Sequence, residues 1–389
     1  MKKIILSAAS LAVAAVASVS VAPTTSEAIP AFARQTGSAC LACHFQSFPT
    51  LNAYGRSFKM GGLTDSSRDL VEDEGLSIPA TLNWTVMVRP RFQTVDTGTK
   101  ANAFEFADPV FMIAGRAGEH TGVFVEYGAG GIYANAQMIN SYDMGDLKVG
   151  ASVFSAGFGS DAGMQVMSVW GQHGGLLGGK SLTINGAMDG FSNGVTAWAG
   201  NETWVAQLAM VNAVDSAEAA PQTNFRFAPV LRGNYFLEAG DFEIGLGAIV
   251  ATGSAGAGGT TDQKRTGIDV QAMGEVADMQ VGVFADWATA PAGTATASNI
   301  YNPNIGGVAP ADARTGYSFR ATVKPTHNLI FMAGLGQDKT SATTIDKTLV
   351  GVEYEVYQNG VINFTYGSDK DSAANLTTKT TTLEYELLI

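Results

Sequence analysis

The sequence is poor in charge, in cysteine and in long apolar runs. Charged residues make up 15% of its 389 positions, against about 25% in an average soluble protein. That excludes a disordered tail, which stays solvated through high charge, and a coiled coil, whose helices are dense in Lys, Glu and Arg. Two cysteines are too few for a disulfide-stapled mini-protein. The 23 basic residues face 35 acidic ones, a net charge of −12. No phosphate-neutralising surface is left over, so general nucleic-acid binding is excluded. Beyond the N-terminal segment, no stretch approaches the ~20 continuous apolar residues of a membrane helix. What is present instead is glycine, 46 residues of it, and 46% apolar residues set in short alternating segments.

The N-terminus has the layout of an export signal. Lys2 and Lys3 form a positive start, Ile4 to Val21 is apolar with interspersed Ala and Ser, and Ser26-Glu27-Ala28 is a small-residue cleavage site. Residues 1–28 are therefore expected to be a signal peptide that is removed; a retained anchor is the alternative. Two units follow, a short segment over 29–79 and a long one over 80–389.

Both cysteines fall in one motif, Cys40-Leu41-Ala42-Cys43-His44. This C-x-x-C-H spacing is the attachment signature of c-type haem. Two thiols three positions apart reach the two vinyl groups of one porphyrin, and the next residue sets an imidazole under the iron. A thioredoxin-type pair needs a βαβ context, which is lacking. A zinc site needs further soft ligands, and the other histidines are scattered. A disulfide across so short a loop stabilises little. The expected cofactor is one covalent haem c, with His44 as axial ligand.

Downstream, Leu51 to Met60 reads as a short helix stopped by Gly61-Gly62. Leu51, Tyr54 and Phe58 then share one face, an apolar wall for a porphyrin. Arg56 and Lys59 lie off that face, placed to pair with haem propionates. Met60 is the preferred sixth ligand, because a Met/His pair suits electron transfer. His120, His173 and His327 remain as alternatives, as does a five-coordinate iron.

From about Thr81 the pattern changes to period two. Leu82, Trp84, Val86 and Val88 alternate with Asn83, Thr85, Met87 and Arg89; Leu383, Tyr385, Leu387 and Ile389 alternate with Glu384 and Glu386. Segments of ~10 residues with one apolar face match transmembrane β-strands. Tight turns at Ala239-Gly240-Asp241, Ala277-Asp278, Pro325-Thr326 and Gln358-Asn359-Gly360 alternate with long polar loops at about Thr252–Lys264, Ala290–Arg314, Gln337–Ile345 and Ser368–Thr378. Short periplasmic turns and long outer loops distinguish an outer-membrane barrel from a soluble sandwich. The pattern predicts an all-β, up-and-down β-barrel of about sixteen strands. The first half is ambiguous around Gly128–Gly145 and Gln172–Lys180.

With the apolar sets toward lipid, Glu238, Glu243, Asp269, Glu275, Asp286, Glu353, Glu355, Glu384 and Glu386 face the lumen, joined by Arg89, Arg91 and Arg116. So many carboxylates are expected to attract cations. Residues 29–79 are too few for a haem domain with its own core. They are expected to plug the periplasmic mouth and to borrow the wall as the rest of the haem pocket.

Pro30-Ala31-Phe32-Ala33-Arg34-Gln35-Thr36-Gly37, the C-x-x-C-H motif, Phe45-Gln46, Pro49, Leu51-Asn52 and Gly55-Arg56-Ser57-Phe58-Lys59 resemble the start of the fused monohaem cytochrome c–porin proteins of iron-oxidising bacteria. The specific match covers about thirty residues; the barrel region resembles the family in length, pattern and topology. The resemblance implies an outer-membrane Fe(II) oxidase that takes electrons from extracellular Fe²⁺ and passes them through the haem to a periplasmic c-type cytochrome, with Cys40, Cys43 and His44 holding the haem. Other readings are a general electron conduit with a non-iron donor and a diffusion porin whose haem is structural. The final Ile389 stands where many outer-membrane barrels carry an aromatic residue.

Overall fold

Alternating apolar and polar positions build a closed wall of antiparallel strands in the computed structural model of the chain. The structure describes residues 30–81, 83–107, 109–128, 135–167, 192–212, 224–304 and 308–389. The expected signal peptide at 1–28, Leu82, His173 and the stretch Gln172–Lys180 lie outside the described residues.

The N-terminal segment forms three short helices, α1 (Pro30–Thr36), α2 (Cys40–Cys43) and α3 (Ala53–Met60), then a small hairpin of β1 (Leu70–Asp73) and β2 (Leu76–Pro79). The barrel starts at β3 (Trp84–Val88), which runs on as β4 (Pro90–Asp96). The next strand is likewise in two pieces, β5 (Lys100–Phe106) and β6 (Val110–Gly118). The interruptions fall at Pro90 and Pro109, which have no N–H to give to the ladder. β7 (Thr121–Gly128), β8 (Asn135–Asp143) and β9 (Lys148–Ser155) follow. The wall continues through Asn193–Gly200, Trp204–Asn212, Ala228–Ala239, Phe242–Ala251, Arg265–Val276, Met279–Ala290, Arg314–Thr326, Leu329–Lys339, Thr344–Tyr357, Gly360–Asp371 and Leu376–Leu388. The last strand closes the ring, with Leu387 opposite Val88 and Leu383 opposite Phe92. Taking β3 with β4 and β5 with β6, the described residues make sixteen strands.

The period-two pattern sorts the side chains as expected. Along Arg314–Thr326, Tyr317 and Phe319 are exposed on the outside while Ser318, Arg320, Thr322 and Lys324 are buried inside. Aromatic residues flank the outer face near both rims, with Trp84, Tyr142 and Tyr357 at one end and Trp287, Tyr317 and Tyr366 toward the other. Such girdles belong at membrane–water interfaces. No described helix is long and apolar enough to cross a membrane.

Two expected long loops are short. The strands on either side run to Lys339 and Thr344, and to Asp371 and Leu376, so 337–345 and 368–378 are mostly hairpin ends. Their Thr-rich, polar composition resembles a loop, but β-branched threonines extend the ladder readily. The turn expected at Pro325-Thr326 falls at His327-Asn328, because the strand continues to Thr326.

Part of the lumen is occupied by the chain itself. After β9 the chain turns inward as a 3-10 helix, Ala156–Asp161, and residues 156–167 are all buried. Phe158 and Ala162 pack with inward Ile249, Met273 and Phe284 and with Tyr301 of an outer loop in one apolar cluster. At the outer end, pieces of three loops (Phe225–Arg226, Ser254–Ala257, Thr261–Asp262 and Ser298–Asn299) pair as a small sheet.

The inward carboxylates do not make a bare cation-attracting surface. Asp269 forms a buried ion pair with Arg232, and Glu243 pairs with Arg56. Glu355 meets Lys324 at 3.3 Å, and Glu384 and Glu386 lie 3.9 and 3.5 Å from Arg89. Each pairing cancels the field that one side would project. Glu238 and Glu275, near the short-turn end, are exposed.

Candidate functional site

The N-terminal segment sits inside the mouth at the end that carries the short turns and both ends of the barrel. Its anchors spread around the ring. Ala31 N–H donates to Thr85 Oγ1 at 3.1 Å, and Ser141 Oγ donates to Met60 O at 2.6 Å. The buried Gln46 is held three ways: its amide donates to Gln280 O at 2.8 Å, Thr322 Oγ1 donates to its Oε1 at 2.6 Å, and Lys324 Nζ donates to its main-chain O at 2.6 Å. Arg116 reaches inward to Thr64 O and to Ser77 Oγ, so this lumen arginine secures the segment.

The motif helix α2 is followed by His44, which bridges Leu51 in the extended backbone before α3. α3 begins two residues later than the expected start, because Asn52 caps it: its side chain accepts from Gly55 N–H at 3.0 Å. That shift breaks the expected shared face. Leu51 and Phe58 line the cavity, while Tyr54 is turned out to solvent.

α2 and α3 touch at Gly55, where a Cβ would lie 2.2 Å from Cys43 O. Gly55→Ala forces the motif away from α3. It is expected to cost about 1–3 kcal/mol, as overpacking does, and to lower haem retention on a denaturing gel stained for haem.

A cavity of about 130 Å³ opens between the segment and the wall. Phe32, Phe48, Leu51 and Phe58 come from the segment, Phe124, Glu126 and Gln137 from β7 and β8, and Phe158 and Gln165 from the inner loop. Phe124 packs edge-on to Phe158 at 5.6 Å and stacks with Phe32 at 6.1 Å. The borrowed wall is therefore present. The inner loop, which carries no period in its Gly, Ala and Met residues, had no sequence signal.

Cys43, His44 and Lys59 line this cavity. Burial lowers the His44 pKa to about 4, and the neighbouring Thr50 and Pro49 backbone offsets only part of that. The imidazole is thus neutral, the form that binds a metal. Its Nδ1 is buried without a hydrogen-bond partner, a costly state for a polar atom unless something else engages the ring. Burial pushes the Cys43 thiol up to about 11. The Lys59 ammonium is pushed down to about 8 by desolvation, against the pull of Asp161, whose carboxyl burial raises to about 6. No disulfide links Cys40 and Cys43.

The other expected site residues lie elsewhere. Cys40 lines a smaller pocket with Glu353 and Glu386, and Phe48 is common to both spaces. Arg56 pairs with Glu243 and lies 4.0 Å over the Phe236 ring, outside the cavity lining. Met60 is buried in an apolar cluster with Ile139, Met164 and Trp198 and does not line the cavity. His120 stacks on Tyr142 at 4.6 Å at the barrel rim, and His327 is exposed in its turn.

The donor set fits a c-type haem: a neutral buried imidazole, an adjacent thiol, an aromatic cavity and one cation.

No family model matches the sequence, and no curated protein matches it. Solved structures do match. The anion-selective porin from Comamonas acidovorans aligns with a TM-score of 0.51 at 10% identity, covering 79% of this chain and 99% of that one. OmpT, an outer membrane protein of Vibrio cholerae folded in vitro, aligns with a TM-score of 0.51 at 13% identity, covering 82% and 99%. At such identity the likeness concerns the fold alone, and it agrees with the strand count: the chain is built as a closed sixteen-stranded antiparallel β-barrel.

Proposed function

We propose that this barrel is an electron conduit, which oxidises extracellular Fe(II) and delivers the electrons through one c-type haem to a periplasmic c-type cytochrome. One observation carries the reading: His44 and Cys43 of the C-x-x-C-H motif are buried against an aromatic-lined cavity inside the mouth of the barrel. The resemblance of residues 30–59 to the fused cytochrome–porin proteins supports iron as the donor.

Haem, when bound, supplies a one-electron couple; the residues around it set where that couple sits and what reaches it. Cys40 and Cys43 would tether it, and His44 would hold its iron. Lys59 would supply a cation for its propionates. Phe32, Phe48, Phe58, Phe124 and Phe158 exclude water, which shapes the potential. The packing of Phe158, Phe284 and Tyr301 inside the barrel narrows the space left to a solute, which supports a conduit over a diffusion porin.

Proteoliposomes test this. With ferrous iron outside and a soluble c-type cytochrome plus a ferrous chelator inside, the enclosed cytochrome is expected to become reduced, and planar bilayers are expected to register little conductance. An unreduced cytochrome together with large open-channel currents would return the chain to the porin reading.

A further inference from the structure

The strands Thr344–Tyr357, Gly360–Asp371 and Leu376–Leu388 are consecutive in the wall, and their register sets Glu353, Asn363 and Glu384 side by side on the inner face. Cβ atoms so placed are about 4.5–5.5 Å apart. Asn363 keeps 4% of its surface, and neither its amide nitrogen nor its amide oxygen has a hydrogen-bond partner. An amide between two carboxylates ordinarily donates to one of them, because a buried polar group left unbonded is costly. Asn363 donates to neither. The cations near the row do not neutralise it. Arg89 lies closer to Glu386, at 3.5 Å, than to Glu384, at 3.9 Å. Arg91 sits 3.8 Å from Glu384 but bonds Glu105 at 3.1 Å, and Lys324 meets Glu355. Glu105, Glu353, Glu355, Glu384 and Glu386 thus outnumber Arg89, Arg91 and Lys324. The row is also reached by water. Away from the short turn, Thr365, Thr382 and Gln93 face inward at the next level, with Asp369 and Lys347 beyond them, and all are half-buried. Across the lumen, Ile249, Met273 and Phe284 are closed in the apolar cluster. One polar strip therefore leads from the long-loop end of the barrel down to Asn363.

We infer that Glu353, Asn363 and Glu384 form a site for a divalent cation, and that ferrous iron, the donor in the reading above, rests there before it is oxidised. Two carboxylates and an amide oxygen are hard donors, the kind that take Mn²⁺, and Fe²⁺ stands just above Mn²⁺ in affinity at a given site. No group of three His, Cys, Asp or Glu able to hold a metal forms among the described residues, so this set brings two charges only. Affinity follows the charge count of the ligands, and so few suit an ion that has to leave again. The two negative charges also favour the higher charge of iron, which eases the loss of its electron. Glu353 lines the same small pocket as Cys40, so an ion on the row lies next to a thiol expected to tether the haem. A held Fe²⁺ gives one electron to the ferric haem and leaves as Fe³⁺, with no proton transferred. Cation binding stands apart from the haem reading; the donor role rests on it.

Mn²⁺ is the probe, titrated into the detergent-solubilised full chain and read by electron paramagnetic resonance. The parent is expected to bind one Mn²⁺ saturably, and Fe²⁺ added once the haem is already reduced is expected to displace it. Asn363→Leu and Glu353→Gln should each weaken Mn²⁺ binding about tenfold or more, the least that disturbing a metal's surroundings costs. Asn363→Leu removes a side chain whose polar atoms bond nothing, and Glu353→Gln keeps the shape of the one it replaces, so heat-modifiable migration should show assembled barrels. In both variants, reduction of the haem by limiting ferrous iron should slow by a similar factor, while dithionite reduces it as in the parent. No saturable Mn²⁺ binding by the parent, or parental affinity in both variants, overturns the site. Weakened binding with a parental rate of iron oxidation overturns the donor role. A chain that carries no haem fails the proposed function instead, and the Mn²⁺ titration then still decides the site.

Discussion

His44→Ala is expected to abolish reduction of the haem by ferrous iron while the barrel assembles as before. The turn is held through the His44 main-chain N–H, which donates to Cys40 O at 2.9 Å and stays when the side chain is removed. Removing even an outer partner of a metal ligand costs about 10–100-fold in metal affinity or activity, so removing the ligand itself should cost at least that. Two readouts check it. The visible spectrum should lose the signature of a histidine-ligated haem, and the rate of reduction by ferrous iron should fall by about a hundredfold or more. Heat-modifiable migration of the barrel on gels should be unchanged. A variant that reacts with ferrous iron at the parental rate assigns the electron path to another group.

Asp269→Ala is expected to give the largest loss of stability. Its carboxylate pairs with Arg232, and the two side chains keep 0% and 1% of their exposure. Without Asp269 the guanidinium is left buried with its hydrogen-bonded partner gone and only the more distant Asp161 carboxyl to offset it, and breaking a buried pair costs about 3–5 kcal/mol. Arg232 also lies 3.9 Å from Met167 Sδ, and Asn234 donates to the same sulfur at 2.9 Å, so the inner loop should loosen together with the wall. The urea midpoint of detergent-solubilised barrel measures the effect. Combining Arg232→Met with Asp269→Leu should recover most of it, because apolar isosteres of a buried pair are often neutral. A loss below about 1 kcal/mol, the range of solvated pairs, would mean that water reaches this part of the lumen.

The sequence carried the barrel clearly because its signal is local. Each strand states its own period, and the tight turns after Ala239 and Val276 set the rhythm. What lay hidden depends on partners distant in the chain. Nothing local says that Glu243 meets Arg56 or that Asp269 meets Arg232, since those pairs depend on register around a closed ring and on how the plug seats. The inner loop at 156–167 was illegible for a related reason: small residues and methionines take their conformation from the lumen they fill. At the site, the motif was readable from five consecutive residues. The orientation of Tyr54 was not, because it depends on how the helix seats against the wall and not on its own spacing from Phe58. Likewise Met60 is close to His44 in sequence, but its side chain is committed to the cluster around Ile139 and Trp198.

An absorption spectrum of the detergent-extracted protein, taken before and after ferrous iron, bears most directly on a haem-bearing conduit. The expected result is a c-type haem spectrum that ferrous iron shifts to the position reached with dithionite. A colourless protein, or haem bands that dithionite reduces and ferrous iron leaves unmoved, would contradict it.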